Sequence, residues 1–301
     1  MIIPPFLKEN DKIRIVAPAG KIKKEFVESG VKWLRSQCYN VVLGNHVLDE
    51  YNMFAGKDED RLNDLQEALD DKEAKAIICA RGGYGSVRLI GNLNFTRFLE
   101  HPKWIVGFSD ITVFHNVLNS LGVVSIHGSM LRHFPKPGAK ISESVKSLFF
   151  VLERNKPVYE TNSDEHNRVG IARGELVGGN LSIVYSLLGT PQELNVKGKI
   201  LFIEDIGEHL YHTDRMIQSL KQSGKLSQLA GLVVGDFIKM RDNRTAFGMD
   251  AYEIISNAVN EYKYPVCFGF PAGHDKRNLA LVFGMKWELE VNDFGSSLSI
   301  L

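Results

Sequence analysis

The sequence predicts an α/β protein with a parallel sheet in its N-terminal part and a separate α/β or α+β domain after it. Short, almost wholly apolar segments recur along the first part of the chain. They alternate with segments whose apolar residues have helical spacing, which is typical of a parallel sheet covered by helices on both faces. The second part is rich in glycine and contains several short apolar segments, which indicates a further domain.

The N-terminal elements follow from this alternation. Lys-Ile-Arg-Ile-Val-Ala-Pro-Ala-Gly at 12–20 predicts a buried strand that ends in a Pro/Gly turn. The other elements predicted here are strands at 40–43, 74–80, 104–108 and 123–127 and helices at 23–37 and 58–71. Ligands bind at the carboxyl ends of strands in open α/β sheets, so the residues that follow these strands are candidates for a site.

A polar segment containing two prolines separates the two parts. The predicted boundaries are an N-terminal domain at 1–134, a linker at 135–168 with a short helix at 142–153, and a C-terminal domain at 169–301. In the C-terminal domain we expect strands at 199–207, 229–234, near 266, at 279–283 and at 287–291. The helices expected there are an apolar helix that follows 173–182 and ends at 188, and helices at 213–224 and 250–262.

Composition and charge exclude several classes of function. The chain of 301 residues has 36 basic and 36 acidic residues and no Lys/Arg-rich run, so we expect no nucleic-acid partner. Its three cysteines are far apart, which favours a reducing compartment, and the absence of Cys-x-x-Cys and His-Glu-x-x-His disfavours a metal site. Because no apolar run approaches the roughly 18 residues of a membrane span and the start lacks a signal-peptide pattern, we expect a cytoplasmic protein without a membrane partner.

A serine stands where a predicted strand turns into a helix. Trp-Ile-Val-Gly-Phe-Ser-Asp-Ile-Thr at 104–112 leads from an apolar strand through Gly107 and Ser109 into a segment with helical spacing. A hydroxyl there lies at a helix N-terminus, which favours negative charge, as at the nucleophile elbow of α/β-hydrolases. The Gly-x-Ser-x-Gly sequence motif of that elbow is absent, however. On this stretch alone, a plain helix cap formed by Ser109 and Asp110 is the more common interpretation.

A glycine-rich loop follows the neighbouring predicted strand. Arg-Gly-Gly-Tyr-Gly-Ser at 81–86 frees backbone N–H groups to approach an anion or an oxyanion closely. Its spacing fits neither a dinucleotide-binding loop nor a phosphate-binding P-loop. The alternative is a simple turn with Arg81 on the surface, but the nearby candidate at Ser109 favours a functional loop.

Two further candidates lie in the second half of the chain. Ile-Glu-Asp-Ile-Gly-Glu at 203–208 places Glu204 near a strand end, where a carboxylate can orient a histidine, although such residues are more often solvated. His274 lies in a Gly/Pro turn, and neutral imidazole is the usual base for a serine hydroxyl. Three other histidines are rivals for that role, namely His127, His209 and His212.

Taken together, several motifs resemble the serine LD-carboxypeptidase family along nearly the whole chain. They are Ala-Arg-Gly-Gly-Tyr-Gly-Ser at 80–86, Gly-Phe-Ser-Asp-Ile-Thr at 107–112, Gly-Gly-Asn-Leu at 178–181, Glu-Asp-Ile-Gly-Glu at 204–208, Asp-Arg at 214–215 and Gly-His at 273–274. One departure is Ser129, which stands where family members often have proline in His-Gly-Pro-Met.

The resemblance implies a fold, a catalytic triad and an oxyanion hole. The fold would be a Rossmann-like (flavodoxin-like) N-terminal domain followed by a C-terminal domain of swivelling-β type. The nucleophile would be Ser109, the general base and acid His274, and the residue that orients the histidine Glu204. The backbone N–H groups of Gly83 and Asp110 would bind the oxyanion. The residues assigned to substrate binding are Arg81, Gly82, Tyr84 and Asn180.

The resemblance also implies the reaction and its setting. We expect hydrolysis of the L,D-amide bond that releases terminal D-alanine from muropeptide tetrapeptides, in cytoplasmic recycling of cell-wall peptides, by a homodimer without metal or cofactor. Two alternatives remain open at this point. The first is a microcin-immunity-type serine peptidase that cleaves a peptidyl- or aminoacyl-nucleotide. The second is a non-catalytic α/β protein that binds a small ligand, although such a binder would not need the three proposed catalytic residues.

Overall fold

The structure is a computed structural model that describes residues 1–136 and 138–301. The chain forms two compact units, which are Met1–Asn155 with Leu279–Val282, and Lys156–Asn278 with Phe283–Leu301. The predicted linker at 135–168, of which residue 137 lies outside the described residues, is divided between them. The mixed α/β class and the two-part organisation are confirmed.

The elements alternate as the sequence predicts in the first part of the chain. Up to residue 155 they are β1 (Lys12–Val16), α1 (Lys24–Ser36), β2 (Asn40–Leu43), α2 (Asp58–Asp70), β3 (Ala74–Cys79), α3 (Thr96–Glu100), β4 (Trp104–Gly107), α4 (Thr112–Ser120), β5 (Ser125–His127) and α5 (Glu143–Leu152). From residue 156 they are β6 (Val158–Asn162), β7 (Gly170–Asn180), α6 (Leu181–Ser186), β8 (Ile200–Ile206), α7 (Leu210–Gln222), β9 (Gly231–Ile238), α8 (Ala251–Val259), β10 (Val266–Cys267), β11 (Leu281–Phe283), β12 (Lys286–Asn292) and β13 (Gly295–Ile300). Short 3-10 helices include Ser86–Arg88, Ser109–Ile111 and Leu131–His133.

The first sheet has six strands in the order β11-β5-β4-β3-β1-β2. The pairs from β5 through β4, β3 and β1 to β2 are parallel. All four residues of β4 are buried, as expected for a central strand covered on both faces. Because β4 lies between β3 and β5, the loops after these three strands emerge side by side at one edge of the sheet.

The second sheet has seven strands in the order β10-β9-β8-β7-β12-β13-β6. Strands β7 to β10 pair in parallel, whereas β7, β12, β13 and β6 pair antiparallel. Strands β6 and β13 were not predicted from the sequence. Their sequences, Val-Tyr-Glu-Thr-Asn and Gly-Ser-Ser-Leu-Ser-Ile, are too polar for a buried strand, and they form because each pairs with a neighbouring strand along its length.

Each unit has its own hydrophobic core. In the first, residues of β3 and β4 pack with apolar side chains of α2 and α4, such as Leu65, Leu69 and Phe114. In the second, residues of β8 and β9 pack with α7 and α8 through Met216, Ile217 and Ile255 among others. No helix in the described part of the chain is both long and apolar enough to cross a membrane.

Candidate active site

Ser109 lies at a sharp turn between β4 and the helices that follow it. The strand ends at Gly107, and the 3-10 helix Ser109–Ile111 leads directly into α4. A Cβ atom on Gly107 would lie only 2.8 Å from the Ile111 side chain, so this turn requires glycine there. Ser109 itself has φ +64°, a left-handed conformation that is uncommon outside glycine and is found at strained functional sites. The predicted strand–turn–helix junction is therefore confirmed, with a strained backbone at the serine.

The buried side chain of His115 forms a hydrogen bond with the backbone at the end of β4. The Nε2–H of His115 donates to the Gly107 carbonyl at 3.0 Å, and the Ser125 hydroxyl donates to Nδ1 at 2.9 Å. Burial lowers the pKa of His115 to about 4, so the ring is neutral at physiological pH. This neutral tautomer holds the backbone two residues before Ser109 in place.

The glycine-rich loop at 81–86 contacts the serine turn directly. A Cβ atom on Gly82 would lie 3.1 Å from the Cβ of Ser109 and 3.3 Å from its hydroxyl oxygen. The Asp110 carboxylate accepts a hydrogen bond of 2.8 Å from the Ser86 backbone N–H. Asp110 is buried, and this burial raises the pKa of its carboxyl despite the hydrogen bonds from the loop. The two stretches that the sequence placed after neighbouring strands therefore lie against each other.

The two N–H groups predicted to bind an oxyanion belong to these stretches. Gly83 has φ +118°, and within the described part of the chain no atom accepts its N–H. Asp110 is the second residue of a 3-10 helix, where the first N–H groups lack partners inside the turn. Both positions suit the stabilisation of an oxyanion, and their role remains a prediction.

The other loop residues predicted to bind substrate are placed as follows. The Arg81 guanidinium donates to the Lys21 carbonyl at 2.6 Å, and the side chain is partly buried. Tyr84 is 45% exposed, with its ring 6.2 Å from that of Phe54. Both side chains belong to the same loop as Gly83, and their contact with substrate remains a prediction.

Glu204 and His274 meet in the second unit. The His274 Nδ1 lies 2.6 Å from the Glu204 Oε2, and the Glu204 side chain is completely buried. Glu204 comes from β8, and His274 comes from the loop between β10 and β11. Since Glu204 binds Nδ1, proton transfer to and from a substrate or nucleophile would use Nε2. A histidine held by a buried carboxylate is the arrangement expected of a general base.

Acidic neighbours set the protonation of His274. Burial alone would lower its pKa, but the hydrogen bond and charge of Glu204 and the charges of Asp205 and Asp236 outweigh burial and raise the pKa above its ordinary value. The histidine therefore becomes a neutral base only at a higher pH than an isolated histidine does.

Asn180 links two buried carboxylates on β8. Its Nδ2 donates to the Glu204 Oε1 at 3.3 Å and to the Asp205 Oδ1 at 2.9 Å. The Ser182 hydroxyl donates to the Asn180 side-chain oxygen at 2.6 Å, and the Ser182 N–H donates to Asp205. Burial and the charge of Glu204 raise the pKa of Asp205 to about 7. Asn180 thus contacts the carboxylate that holds His274, and its contact with substrate remains a prediction.

An irregularity between β8 and β9 brings another carboxylate to the histidine loop. Ile203 pairs with Val234 but Asp205 pairs with Phe237, so two residues of β9 lie opposite Glu204. One of them is Asp236, whose carboxylate accepts from the Asp275 N–H at 3.0 Å. Such bulges re-aim side chains beside active sites. Burial raises the pKa of Asp236 to about 6, with neighbouring negative charges adding to the effect.

The rival histidines have different surroundings. His127 is buried in β5, with its ring 5.6 Å from that of Phe108. His212 of α7 pairs with Glu208 at 2.6 Å, but both side chains are about 30% exposed. His209 occupies the N-cap position of α7, where its side chain forms no capping hydrogen bond within the described part of the chain. His274, by contrast, is held by the fully buried carboxylate of Glu204.

One group of side chains in the described residues is close enough to share a metal ion. His46, Asp49 and Asp60 have potential ligand atoms within 4.8 Å of one another in the first unit. The Nδ1 of His46 already lies 2.7 Å from the Asp49 Oδ2, so these two side chains are paired with each other. This group gives no reason to assign a metal.

Two residues beside the proposed triad were not predicted from the sequence, Asp236 and Asp205. Asp236 had no local signal, because only the irregular pairing of β8 and β9 brings it to the histidine loop. Asp205 stood next to Glu204 in the quoted motif, but its bond to Asn180 depends on the pairing of β7 with β8. The one signal in the sequence for Asp205 was the pair of adjacent acidic residues, Glu204 and Asp205, near the end of an apolar run.

Comparisons with known proteins identify the family of this chain. The LD-carboxypeptidase N-terminal domain matches residues 13–128, and the LD-carboxypeptidase C-terminal domain matches residues 173–289. A probable murein peptide carboxypeptidase of Bacillus subtilis is 34% identical over 292 residues, which covers 94% of this chain and 90% of that protein.

Solved structures show the same similarity. The muramoyltetrapeptide carboxypeptidase of Oxalobacter formigenes is 30% identical with a TM-score of 0.87, over 96% of this chain and 98% of that one. The microcin C7 self immunity protein has a TM-score of 0.88 at 20% identity, over 100% of this chain and 98% of that one, which shows a shared fold. The chain therefore belongs to the LD-carboxypeptidase family and is a serine-type carboxypeptidase, a hydrolase.

Proposed function

We propose that this protein hydrolyses the L,D-amide bond before the terminal D-alanine of muropeptide tetrapeptides, with Ser109, His274 and Glu204 as its catalytic triad. The observation that carries this proposal is the buried Glu204–His274 pair, whose two atoms lie 2.6 Å apart. The left-handed turn at Ser109 supports the same assignment, because a nucleophilic serine on a strained strand–helix turn is typical of hydrolases.

The proposed chemistry is acyl transfer in two steps. Ser109 Oγ attacks the scissile carbonyl carbon while the Nε2 of His274 accepts the hydroxyl proton. The tetrahedral intermediate collapses when the same nitrogen protonates the leaving amine, and D-alanine departs. Water then attacks the ester on Ser109 with His274 again as base, which releases the tripeptide and restores the hydroxyl. Glu204 keeps the Nδ1 proton in place and stabilises the imidazolium that forms in each step.

The Gly83 and Asp110 N–H groups are proposed to bind the oxyanion of that intermediate. Support comes from the left-handed Gly83, whose N–H no atom in the described part of the chain accepts, and from the position of Asp110 at the start of a helical turn. Removing one donor of such a pair commonly costs about 100- to 1,000-fold in kcat. The Asp110 side chain has a role separate from that of its backbone N–H. Its carboxylate accepts a hydrogen bond from the Ser86 N–H and so positions the loop that contains Gly83.

Support for the substrate comes from the names of the relatives. The protein of Bacillus subtilis is named as a probable murein peptide carboxypeptidase, and that of Oxalobacter formigenes as a muramoyltetrapeptide carboxypeptidase. At 34% and 30% identity, the similarity to both proteins spans nearly the full length of each chain. We transfer the tetrapeptide substrate to this chain on that basis.

The proposed setting is cytoplasmic recycling of cell-wall peptides by a homodimer that needs neither metal nor organic cofactor. The three proposed catalytic residues supply the nucleophile, the proton acceptor and the electrostatic partner, so acyl transfer requires no further group. Isolated cysteines, Cys38, Cys79 and Cys267, are compatible with a reducing compartment. Sedimentation of the purified protein would test the dimer directly, since a single monomeric species would contradict it.

The experiment that tests the proposed function uses a free tetrapeptide that ends in D-alanine. Mass spectrometry should show loss of one D-alanine with the wild-type protein and no loss with Ser109→Ala. Because Ser109→Ala removes one oxygen atom, the variant should keep the wild-type circular dichroism spectrum and melting temperature. A matched peptide that ends in L-alanine is the stereochemical control and should remain uncleaved.

The outcomes of this assay separate the alternatives. Cleavage of an aminoacyl-nucleotide but not of the tetrapeptide would favour the nucleotide-directed peptidase and contradict the muropeptide proposal. Failure of the folded wild-type protein to cleave either class would favour a ligand-binding protein. Full activity in Ser109→Ala would contradict the nucleophile.

A further inference from the structure

Two arginine-bearing loops flank the serine turn in the first unit. Arg81 opens the loop whose next residue, Gly82, packs against Ser109. Arg132 lies in the short helix Leu131–His133, which follows β5 on the other side of β4. The backbone N–H of Arg132 donates a hydrogen bond of 3.1 Å to the backbone carbonyl of Ala80, so the two loops are joined at the residue before Arg81. The ring of His133 is 5.4 Å from that of Phe108, the residue before Ser109.

The charges of these two arginines are not neutralised by acids of the described chain. No carboxylate within the described residues forms an ion pair with Arg81 or Arg132, and the Arg81 guanidinium binds only the Lys21 carbonyl oxygen. By contrast, Arg61 and Arg88 of the same unit both pair with Asp58. Arg132 is partly buried, and its burial, followed by the positive charge of Arg81, lowers its pKa. A partly buried guanidinium beside a second cation is an unfavourable arrangement unless an anion binds there.

The substrate of a carboxypeptidase supplies such an anion at a fixed distance from the nucleophile. Three bonds separate the scissile carbonyl carbon from the carboxylate carbon of the terminal residue, so the two lie within about 4 Å of each other. Residues that recognise this carboxylate must therefore lie beside the serine that attacks the carbonyl. Guanidinium groups match the planar carboxylate and can donate two parallel hydrogen bonds to it.

We propose that Arg132, together with Arg81, binds the terminal carboxylate of the substrate and so restricts the enzyme to cleavage of the last residue. The inference rests on the proposed role of Ser109 and on the peptide substrate, and it adds a residue that none of the sequence motifs contains. Neither arginine donates or accepts a proton in the reaction. Their contribution lies in binding, so it should be expressed mainly in KM.

The test compares two tetrapeptides that differ only at the C-terminus, one ending in D-alanine and the other in D-alaninamide. The wild-type protein should prefer the acid over the amide in kcat/KM. In Arg132→Gln, kcat/KM for the acid should fall about 10- to 100-fold, mostly through KM, which is the size expected for loss of a charge-assisted hydrogen bond. The amide should be cleaved at nearly the wild-type rate, so the acid-to-amide ratio should approach one. Arg132→Lys should retain part of the preference.

The control variant is Arg97→Gln, which removes an exposed arginine of α3 in the same unit and should leave both rates unchanged. Equal losses for the acid and the amide in Arg132→Gln would assign Arg132 a structural role and overturn the proposal. Wild-type kcat/KM for both peptides in Arg132→Gln would overturn it as well.

A binding measurement separates this proposal from the proposed function. Calorimetry with Ser109→Ala should show tighter binding of the acid than of the amide, and the double variant Ser109→Ala/Arg132→Gln should lose that difference. If wild-type protein cleaves neither peptide but this difference persists, the carboxylate site stands and the hydrolytic assignment fails. If cleavage occurs and binding never depends on Arg132, the carboxylate site fails alone.

Discussion

Replacing Gly82 with alanine tests how closely the glycine-rich loop and the serine turn are fitted. An added Cβ would lie 3.1 Å from the Ser109 Cβ, 3.3 Å from the Ser109 Oγ and 3.4 Å from the Phe108 carbonyl oxygen. Gly82 is not among the residues with positive φ, so alanine can adopt its backbone conformation without strain. The substitution therefore changes the available space and little else.

The size of the effect follows from these distances. Non-bonded carbon atoms pack best at about 3.5–4.0 Å, so Ser109 or the loop must move by a few tenths of an ångström. A displacement of about 1 Å in an active site can cost about 100-fold in rate, so a shift of this smaller size should lower kcat by roughly 3- to 10-fold. Crowding of this kind should also lower the free energy of unfolding by about 1 kcal/mol.

The assay measures kcat for tetrapeptide hydrolysis and the free energy of unfolding in urea for the same samples. Gly91→Ala is the matched control, because no atom lies within 4 Å of the Cβ it would add and its φ is not positive. That control should keep the wild-type kcat. A wild-type kcat in Gly82→Ala would refute the idea that this loop contacts the catalytic serine, and an equal loss in both variants would show that the loss is not caused by crowding at Ser109.

Three further predictions concern the charged groups of the site. Glu204→Gln should lower kcat by about 1,000- to 10,000-fold, because the histidine loses the partner that fixes its Nδ1 proton. Asp236→Asn should shift the acidic limb of the kcat/KM–pH profile to lower pH by roughly half a pH unit. The reason is that Asp236 supplies a negative charge that raises the pKa of His274, so without it the histidine becomes neutral at lower pH. Asp110→Ala should lower kcat about 10-fold and destabilise the protein by about 1–3 kcal/mol, because the buried Ser86 N–H loses its acceptor.

Each of these predictions has its own control and contradiction. The folded Glu204→Gln protein should still bind the tetrapeptide in calorimetry, and retention of wild-type turnover would exclude Glu204 from the triad. An unchanged or upward-shifted limb in Asp236→Asn would contradict the assigned electrostatic effect of Asp236 on His274. Asp110→Asn keeps an acceptor for Ser86, so it should be milder than Asp110→Ala, and the reverse order would contradict the hydrogen-bond explanation.

The pH profile of the wild-type protein follows from the same electrostatics. His274 has to be neutral to accept the serine proton, and the acidic groups around it raise its pKa above the ordinary value of 6.5. Activity should therefore rise with pH through a value above that of an isolated histidine.

The loops of the first unit were predictable because their signals are local. The apolar runs of β3 and β4 are each followed closely by glycine, at Gly82 and Gly107, and the stretches 81–86 and 107–110 lie at the same sheet edge as expected. The parallel alternation of strands and helices also identified the fold class. Such patterns depend on a few consecutive residues, so a single sequence is enough to detect them.

The surroundings of Glu204 and His274 were less predictable because they depend on contacts between distant segments. The two residues are separated by 70 positions, and only the folded chain brings the Nδ1 of the histidine to the carboxylate. Asp236 reaches the histidine loop through an irregular strand pairing that has no sequence signature here. Strand β13 was missed for a similar reason, since its serine-rich sequence carries no strand signal of its own and it pairs with β12 on one side and β6 on the other.

The most direct test of the central claim is to identify the residue that carries the acyl group. The wild-type protein would be mixed with excess tetrapeptide, quenched in acid within a single turnover and mapped by peptide mass spectrometry. We predict a tripeptide ester on the peptide that contains Ser109, with no adduct and no D-alanine release in Ser109→Ala. Release of D-alanine by the folded Ser109→Ala protein, or an acyl group on a different residue, would contradict the assignment of Ser109 as the nucleophile.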